Sequence, residues 1–138
     1  MDKTAIIVVT HGHFGDELIR SSELIMGKLE NIYSISLLEE MDPLDLIKNI
    51  QEILNNEMDN YIILTDLFGG SPSNLVSRFA LTENVIALSG VNLPMLIEVE
   101  TVRKQGFTEE LAGKLVKSAS EGIKDIKKIM LERQEEEK

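Results

Sequence analysis

The sequence predicts an α/β domain in which helices cover both faces of a central parallel sheet. Short β-branched apolar runs alternate along the chain with longer segments of helical periodicity, and this order is typical of βαβ units. Turns that contain glycine or proline separate many of the segments. At 138 residues, 43% of them hydrophobic, the chain is long enough for one domain with a substantial core and too short for two ordinary ones.

The first predicted strand is the apolar run of residues 5–9. Residues 14–27 follow with apolar side chains at mixed spacings of three and four, which predicts a helix with one apolar face that ends at Gly27. Residues 32–37 then alternate between polar and apolar side chains, the pattern of a strand with one polar face.

The next helix has the clearest start. Asp42 is a favoured N-cap residue and Pro43 is suited to the first helical position, so residues 44–54, with an apolar stripe, are predicted as a helix. Residues 61–65 are apolar throughout and predict a third strand covered on both faces. A turn then leads into a helix over residues 72–79.

The last third of the chain gives one strand and two helices. Residues 84–88 predict the fourth strand, residues 95–103 a helix, and residues 108–120 a further helix with Thr108 as its cap. The segment after Gly122 has helical spacing but follows a glycine, so strand and helix both remain open for it.

Strands that alternate with helices imply right-handed crossovers and a three-layer sandwich of flavodoxin-like size. With the sheet order 2-1-3-4, the first and third strands are neighbours whose crossovers leave on opposite faces. Their carboxyl ends then form a crevice. Because His11 follows the first strand and Asp66 the third, these two side chains are predicted to meet there.

A carboxylate that accepts the Nδ1 proton of His11 would leave Nε2 free as a base, nucleophile or ligand. The turn at Gly69, Gly70 and Ser71 adds a second half to this site. Its glycines allow backbone amides to approach an anion, Ser71 is the expected N-cap, and a helix begins at the same crevice. The same residues are also typical of an ordinary strand-to-helix turn without a bound anion, and this alternative remains open.

Composition excludes several classes of function. A net charge of −10 opposes binding to nucleic acid or to an anionic membrane. The absence of cysteine removes disulfides, thiolate metal sites and cysteine nucleophiles. No stretch has the length of an apolar membrane span and the N-terminus has no signal-peptide pattern, so we expect a cytoplasmic protein.

Two alternative functions are open on the residues alone. His11 and His13 have a metal-ligand spacing and would need Asp16 or Asp66 to complete a metal-binding module or a metal-dependent hydrolase. An aspartate at the end of the third strand is also where a receiver-like regulatory domain keeps its phosphoacceptor. Against that second alternative, the sequence lacks an acidic pair after the first strand to hold magnesium.

Three motifs in order resemble the IIA component of the mannose-family phosphotransferase system. They are Thr-His-Gly at residues 10–12, Thr-Asp-Leu-Phe-Gly-Gly-Ser-Pro-Ser-Asn at residues 65–74 and Gly-Val-Asn-Leu-Pro-Met-Leu at residues 90–96. The resemblance extends from about residue 4 to about residue 128. It implies that His11 is the phosphoryl acceptor, that Asp66 orients it, and that no metal or other cofactor takes part.

The resemblance also implies the remaining parts of the site. Phosphate contacts are expected from Gly12, Gly69, Gly70 and Ser71. The crevice lining is expected to include Thr10, Thr65, Phe68 and Asn92, although capping of the turn before Pro94 is an alternative role for Asn92. His13 is expected at the rim.

The implied partners are the carrier protein HPr, the donor, and a IIB component, the acceptor, with membrane contact only through the IIC and IID transporter components. A homodimer is implied in which an antiparallel edge strand after Gly122 is exchanged between subunits. We expect residues 1–130 to form the IIA domain and residues 131–138 a charged tail. The motifs do not name the transported sugar or any regulatory partner.

Overall fold

Four parallel strands form the sheet of the protein, whose computed structural model describes residues 3–137. The strands are β1 (Thr4–His11), β2 (Ile32–Leu37), β3 (Asn60–Thr65) and β4 (Val85–Leu88). The helices are α1 (Phe14–Met26), α2 (Leu44–Leu54), α3 (Ser71–Val76), α4 (Leu93–Val102), α5 (Leu111–Glu121) and α6 (Ile126–Glu136). The strand order is β2-β1-β3-β4, which confirms the predicted order.

Alternate residues of the central strands point into two separate cores, because successive side chains of a strand face opposite ways. Ile6 and Val8 of β1 pack with apolar residues of α1, α4 and α5 on one face. Ala5, Ile7 and Val9 pack with those of α2 and α3 on the other. The three-layer sandwich predicted from the sequence is therefore confirmed.

This arrangement places the switch point between β1 and β3. The register pairs Val9 with Thr65, so both strands end at the same edge of the sheet. The helix that follows β1 covers one face and the helix that follows β3 covers the other. A crevice at that edge follows from the topology.

Local signals set most of the element boundaries. The predicted N-cap at Asp42 is wrong by one residue, because Pro43 is the N-cap of α2 and Leu44 its first helical residue, although the Asp42 side chain still accepts the N–H of Leu44 at 3.0 Å. The cap predicted at Thr108 is wrong, because α5 begins only at Leu111 and the backbone carbonyl of Thr108, rather than its hydroxyl, accepts the Leu111 N–H. At the other end of α5, Gly122 packs so closely on Pro94 that a Cβ would lie 2.4 Å from its ring.

The antiparallel edge strand expected after Gly122 is wrong for the described chain. This segment forms α6, whose N-cap Asp125 accepts the N–H of Lys128 at 3.1 Å. Lysine, leucine, methionine, glutamate and arginine dominate α6 and all favour helix. The boundary predicted after Met130 falls inside this helix. Residues 1, 2 and 138 of the predicted domain and tail lie outside the described residues.

Helix α6 buries none of its residues against the rest of the domain. Its apolar side chains Ile126, Met130 and Leu131 are 73%, 43% and 52% exposed. Within residues 3–137, no helix is both long and apolar enough to cross a membrane.

Candidate functional site

His11 and Asp66 meet at the switch-point crevice, as the sequence predicts. His11 is the last residue of β1, and Asp66 directly follows β3. Asp66 Oδ2 lies 2.9 Å from His11 Nδ1 and also accepts the backbone N–H of His11 at 3.0 Å. The other carboxylate oxygen, Oδ1, accepts the N–H of Leu67 at 3.0 Å. The carboxylate is therefore held by three hydrogen-bond donors.

The charge state of Asp66 follows from these contacts. Burial raises the pKa of its carboxyl, but hydrogen bonds from the His11 ring and from the His11 backbone N–H outweigh burial and hold the pKa below its usual value. Asp66 is thus ionised at neutral pH and only accepts hydrogen bonds. We therefore assign the imidazole proton to Nδ1, which leaves the Nε2 lone pair of His11 free. The His11 side chain is 47% exposed, so a partner can reach it.

The glycine turn after β3 lies directly against the His11 ring. A Cβ on Gly70 would lie 2.7 Å from His11 Cε1 and 3.3 Å from Nε2, so only glycine fits beside the ring in this position. Gly69 has φ +89°, a left-handed conformation that favours glycine. The Asn74 amide donates to the Gly69 carbonyl at 3.4 Å and ties the turn to α3.

Some of the backbone N–H groups in the two turns beside His11 already donate to protein acceptors, and others do not. The Gly12 N–H donates to the carbonyl of Leu37 at 2.8 Å, and the Gly70 N–H donates to that of Leu67 at 3.2 Å. Within the described chain, the N–H groups of Gly69 and Ser71 donate to no protein acceptor. Gly12 instead supplies the turn out of β1, with φ +53°.

Two expected roles at the turn and below it need correction. The N-cap of α3 is Gly70, whose backbone has the extended conformation typical of an N-cap, and Ser71 is the first helical residue. Thr10 is fully buried and its hydroxyl accepts the N–H of Gly15 at 2.8 Å. Thr10 therefore supports the start of α1 from below and does not line the crevice.

Of the other residues expected to line the crevice, Phe68 and Thr65 line a cavity, and Asn92 caps a helix. Phe68 is 83% exposed, and it lines, together with the buried Thr65, a cavity beside β4. Asn92 is the N-cap of α4: it accepts the N–H of Met95 at 3.0 Å and donates to the carbonyl of Ala119 at 3.1 Å. These two bonds explain Asn92 as a structural residue.

His13 has its own carboxylate partner, which the sequence reasoning did not assign. Asp16 Oδ2 lies 2.9 Å from His13 Nδ1 and 3.4 Å from Ser36 Oγ. The spacing of three residues at a helix start is a signal for this pair. Since His11 and His13 use different carboxylates, and no three histidine, aspartate or glutamate side chains gather into a ligand set within residues 3–137, the geometry does not support the metal-binding alternative.

The fold and the site define an open α/β protein that presents a carboxylate-oriented histidine at its switch point. Comparison with known proteins shows the family to which the chain belongs. Residues 5–116 match the family described as the fructose IIA component of the phosphotransferase system (PTS). The chain belongs to this family of PTS IIA components.

Individual relatives agree with this assignment. The mannose-specific EIIAB component of Escherichia coli K12 is 32% identical over 127 residues, which cover 89% of this chain and 39% of that protein. The chain thus spans about two fifths of the length of this relative. The fructose-specific EIIA component of Bacillus subtilis is 29% identical over 114 residues, covering 80% and 78%.

A solved structure agrees as well. The crystal structure of the EIIA component from Streptococcus agalactiae superposes with a TM-score of 0.85 at 32% identity, covering 91% of this chain and 98% of that one.

Proposed function

We propose that the protein is a phosphohistidine carrier that accepts a phosphoryl group from phospho-HPr on His11 and passes it to a IIB component for sugar uptake. The single observation that carries this proposal is the Asp66 carboxylate 2.9 Å from His11 Nδ1. It fixes one nitrogen of the ring as a donor and leaves the other as a nucleophile at an exposed position. Membership of the IIA family supports the same chemistry.

The transfer step exchanges one nitrogen–phosphorus bond for another. The lone pair of His11 Nε2 attacks phosphorus in line, and the bond from phosphorus to the donor imidazole of HPr breaks; because that ring is protonated on its other nitrogen, it leaves as neutral imidazole. The His11 ring then carries a positive charge, since Nδ1 keeps its proton. Asp66 stabilises this charge because its carboxylate is already ionised and already in contact with Nδ1.

Positioning supplies most of the catalysis in such a step, because phosphoryl transfer passes through a loose transition state with little covalent chemistry for the protein to perform. We therefore propose no metal and no other cofactor for it. The free N–H groups of Gly69 and Ser71 are the proposed donors to the phosphate oxygens. Gly70 holds the turn against the ring, and Gly12 forms the turn that follows His11.

Apolar side chains surround the reacting edge of the sheet. Phe14, Leu67 and Phe68 are 47%, 62% and 83% exposed in the isolated chain. We propose that the partner proteins cover them during transfer, which excludes water from the phosphoryl group and limits hydrolysis.

The remaining partners follow from this role. Contact with the membrane is proposed only through the IIC and IID components, and a cytoplasmic location goes with HPr as the donor. We also propose a homodimer, in which the exposed apolar residues Ile126, Met130 and Leu131 of α6 meet a second subunit.

A phosphorylation assay tests the proposal. The protein is mixed with phosphoenolpyruvate, enzyme I and HPr, and acid-labile, base-stable phosphate on it is followed. Labelling is expected in the wild type and in His13→Ala, and it is expected to be lost in His11→Ala. His13→Ala is the matched control, because it removes an imidazole that has the same 2.9 Å contact with a carboxylate. Retained labelling in His11→Ala, or loss in His13→Ala alone, would overturn the assignment.

A further inference from the structure

A basic cleft opens at the end of the sheet opposite to His11. It has a volume of about 450 Å³ and lies beside the start of β1. Strand β1 runs from Thr4, which lines the cleft, to His11, and seven steps of about 3.3 Å separate the two ends by roughly 23 Å. The cleft is therefore distinct from the phosphoryl-transfer site.

The charge of this cleft is opposite to that of the whole chain. Four cationic side chains line it against two carboxylates, Glu30 and Glu100, in a protein with a net charge of −10. The cationic side chains are those of Lys3, Lys28, Arg103 and Lys104.

The carboxylate of Glu100 is already engaged. It pairs with the Arg103 guanidinium and lies 3.3 Å from Lys104 Nζ. Lys3 and Lys28 form no ion pair within residues 3–137. Two ammonium groups are thus available to an anion, against one carboxylate without an ion pair in the described residues, that of Glu30.

Hydrogen bonds from one buried side chain hold the floor of the cleft together. The Arg103 side chain is 7% exposed and donates to the backbone carbonyls of Thr4 at 3.2 Å, Asn31 at 3.1 Å and Glu30. These bonds tie the end of α4 to the start of β1 and to the loop before β2. The cleft is consequently a preformed feature of the fold, as small-molecule sites usually are.

One polar group in this floor lacks a partner. Thr4 is 7% exposed, and its Oγ1 is buried without a hydrogen-bond partner in the described chain. A buried hydroxyl without a partner costs free energy, so the hydrogen bonds of this part of the floor are incomplete. Thr4 lines the same cleft as the two unpaired lysines.

We propose that this cleft binds a small organic phosphate, with the phosphate between the ammonium groups of Lys3 and Lys28. Lysine binds phosphate as a compact point charge. The volume lies within the range of small-molecule sites, roughly 300 to 1,000 Å³, and leaves room for an organic group beside the phosphate. The strongly negative chain as a whole repels a nucleic-acid backbone, which favours a small anion over a polymer.

Nuclear magnetic resonance on the full chain tests this proposal. The ¹⁵N-labelled protein is titrated at constant ionic strength with glycerol 3-phosphate, and with glycerol as the uncharged control. We expect saturable shifts of the amides of Thr4, Asn31 and Lys104 with a dissociation constant on the order of 1 mM or tighter, and no shifts with glycerol. Shifts confined to Gly12 and Gly70, or none that saturate, would overturn the proposal.

A variant and a second probe sharpen the test. Lys3→Gln combined with Lys28→Gln should weaken binding about tenfold or more and leave the thermal midpoint unchanged, whereas Lys48→Gln, an exposed lysine on α2, should bind like the wild type. Equal binding by the double variant would contradict the lysine assignment. Inorganic phosphate that binds the same amides as tightly as glycerol 3-phosphate would contradict a site for an organic phosphate.

Discussion

Replacement of Gly70 by alanine tests how closely the phosphoryl site is built around the His11 ring. The added Cβ would lie 2.7 Å from His11 Cε1, well inside the 3.5–4.0 Å at which carbon atoms pack. The backbone of Gly70, at φ −75° and ψ 167°, is one that alanine adopts without strain. The contact with the ring is therefore the main effect of the substitution.

The geometry sets the size of this effect. To restore an ordinary contact, the ring must recede by about 0.8 Å. A movement of that size directly away from Asp66 would stretch the bond between His11 Nδ1 and Asp66 Oδ2 from 2.9 Å to about 3.7 Å, which is no longer a hydrogen bond. Hydrogen bonds to charged groups contribute about 1.5–3 kcal/mol, so we expect Gly70→Ala to accept a phosphoryl group about tenfold to hundredfold more slowly.

The assay is single-turnover transfer from phospho-HPr by rapid quench. Gly113→Ala is the matched control, because the same methyl group in α5 would meet no atom within 4 Å and should stabilise the helix by about 0.5–1 kcal/mol without changing the rate. A wild-type rate for Gly70→Ala, or an equal loss in Gly113→Ala, would refute the reasoning.

Three further predictions concern stability and assembly. Because the folded-state pKa of Asp66 is depressed, its contribution to stability is present above the unfolded pKa of about 3.9 and is lost as the pH falls through the folded-state pKa. Between about pH 6 and pH 3, the urea midpoint of Asp66→Asn should therefore fall less than that of the wild type. An equal fall in the two proteins would contradict this prediction. Gly15→Ala should lower stability by about 1 kcal/mol in thermal unfolding, because its Cβ would meet three side-chain atoms at 3.0–3.1 Å; an unchanged midpoint would contradict the packing argument. Ile126→Lys combined with Met130→Lys should sediment as a monomer, since both side chains are exposed in one chain, and a persisting dimer would show that α6 is not the contact.

The order of the elements was predictable because each core strand carries its own signal. Residues 5–9 and 61–64 are hydrophobic at every position, the pattern of strands covered on both faces, and the two cores confirm this cover. Because these strands alternate with helical segments, right-handed crossovers between parallel strands are the expected topology. The contact between His11 and Asp66 followed from that topology alone.

The C-terminal segment shows where such reasoning fails. The spacing of apolar residues in 123–130 is helical, but the family resemblance favoured a strand exchanged between subunits. In the described chain the segment is a helix, because the cap at Asp125 and the helix-forming side chains both favour it. A strand that depends on a partner cannot be read from the periodicity of one chain.

The finer parts of the site were not predictable because they depend on distances between segments far apart in sequence. The sequence shows that residues 12 and 70 are glycines, but not that their N–H groups donate to the backbone carbonyls of Leu37 and Leu67. The approach of Gly70 to the His11 ring is likewise set by how α3 packs on the sheet. Sequence therefore predicts which residues gather, and the structure shows which of their atoms are free.

The position of the phosphate on the His11 ring tests the central claim most directly. The protein is phosphorylated through HPr, the modified peptide is identified by mass spectrometry, and the substituted nitrogen is assigned by nuclear magnetic resonance at alkaline pH. Because Asp66 holds Nδ1 at 2.9 Å, the phosphoryl group is expected on Nε2 of His11. Phosphate on Nδ1 of His11, or on His13, would contradict the account.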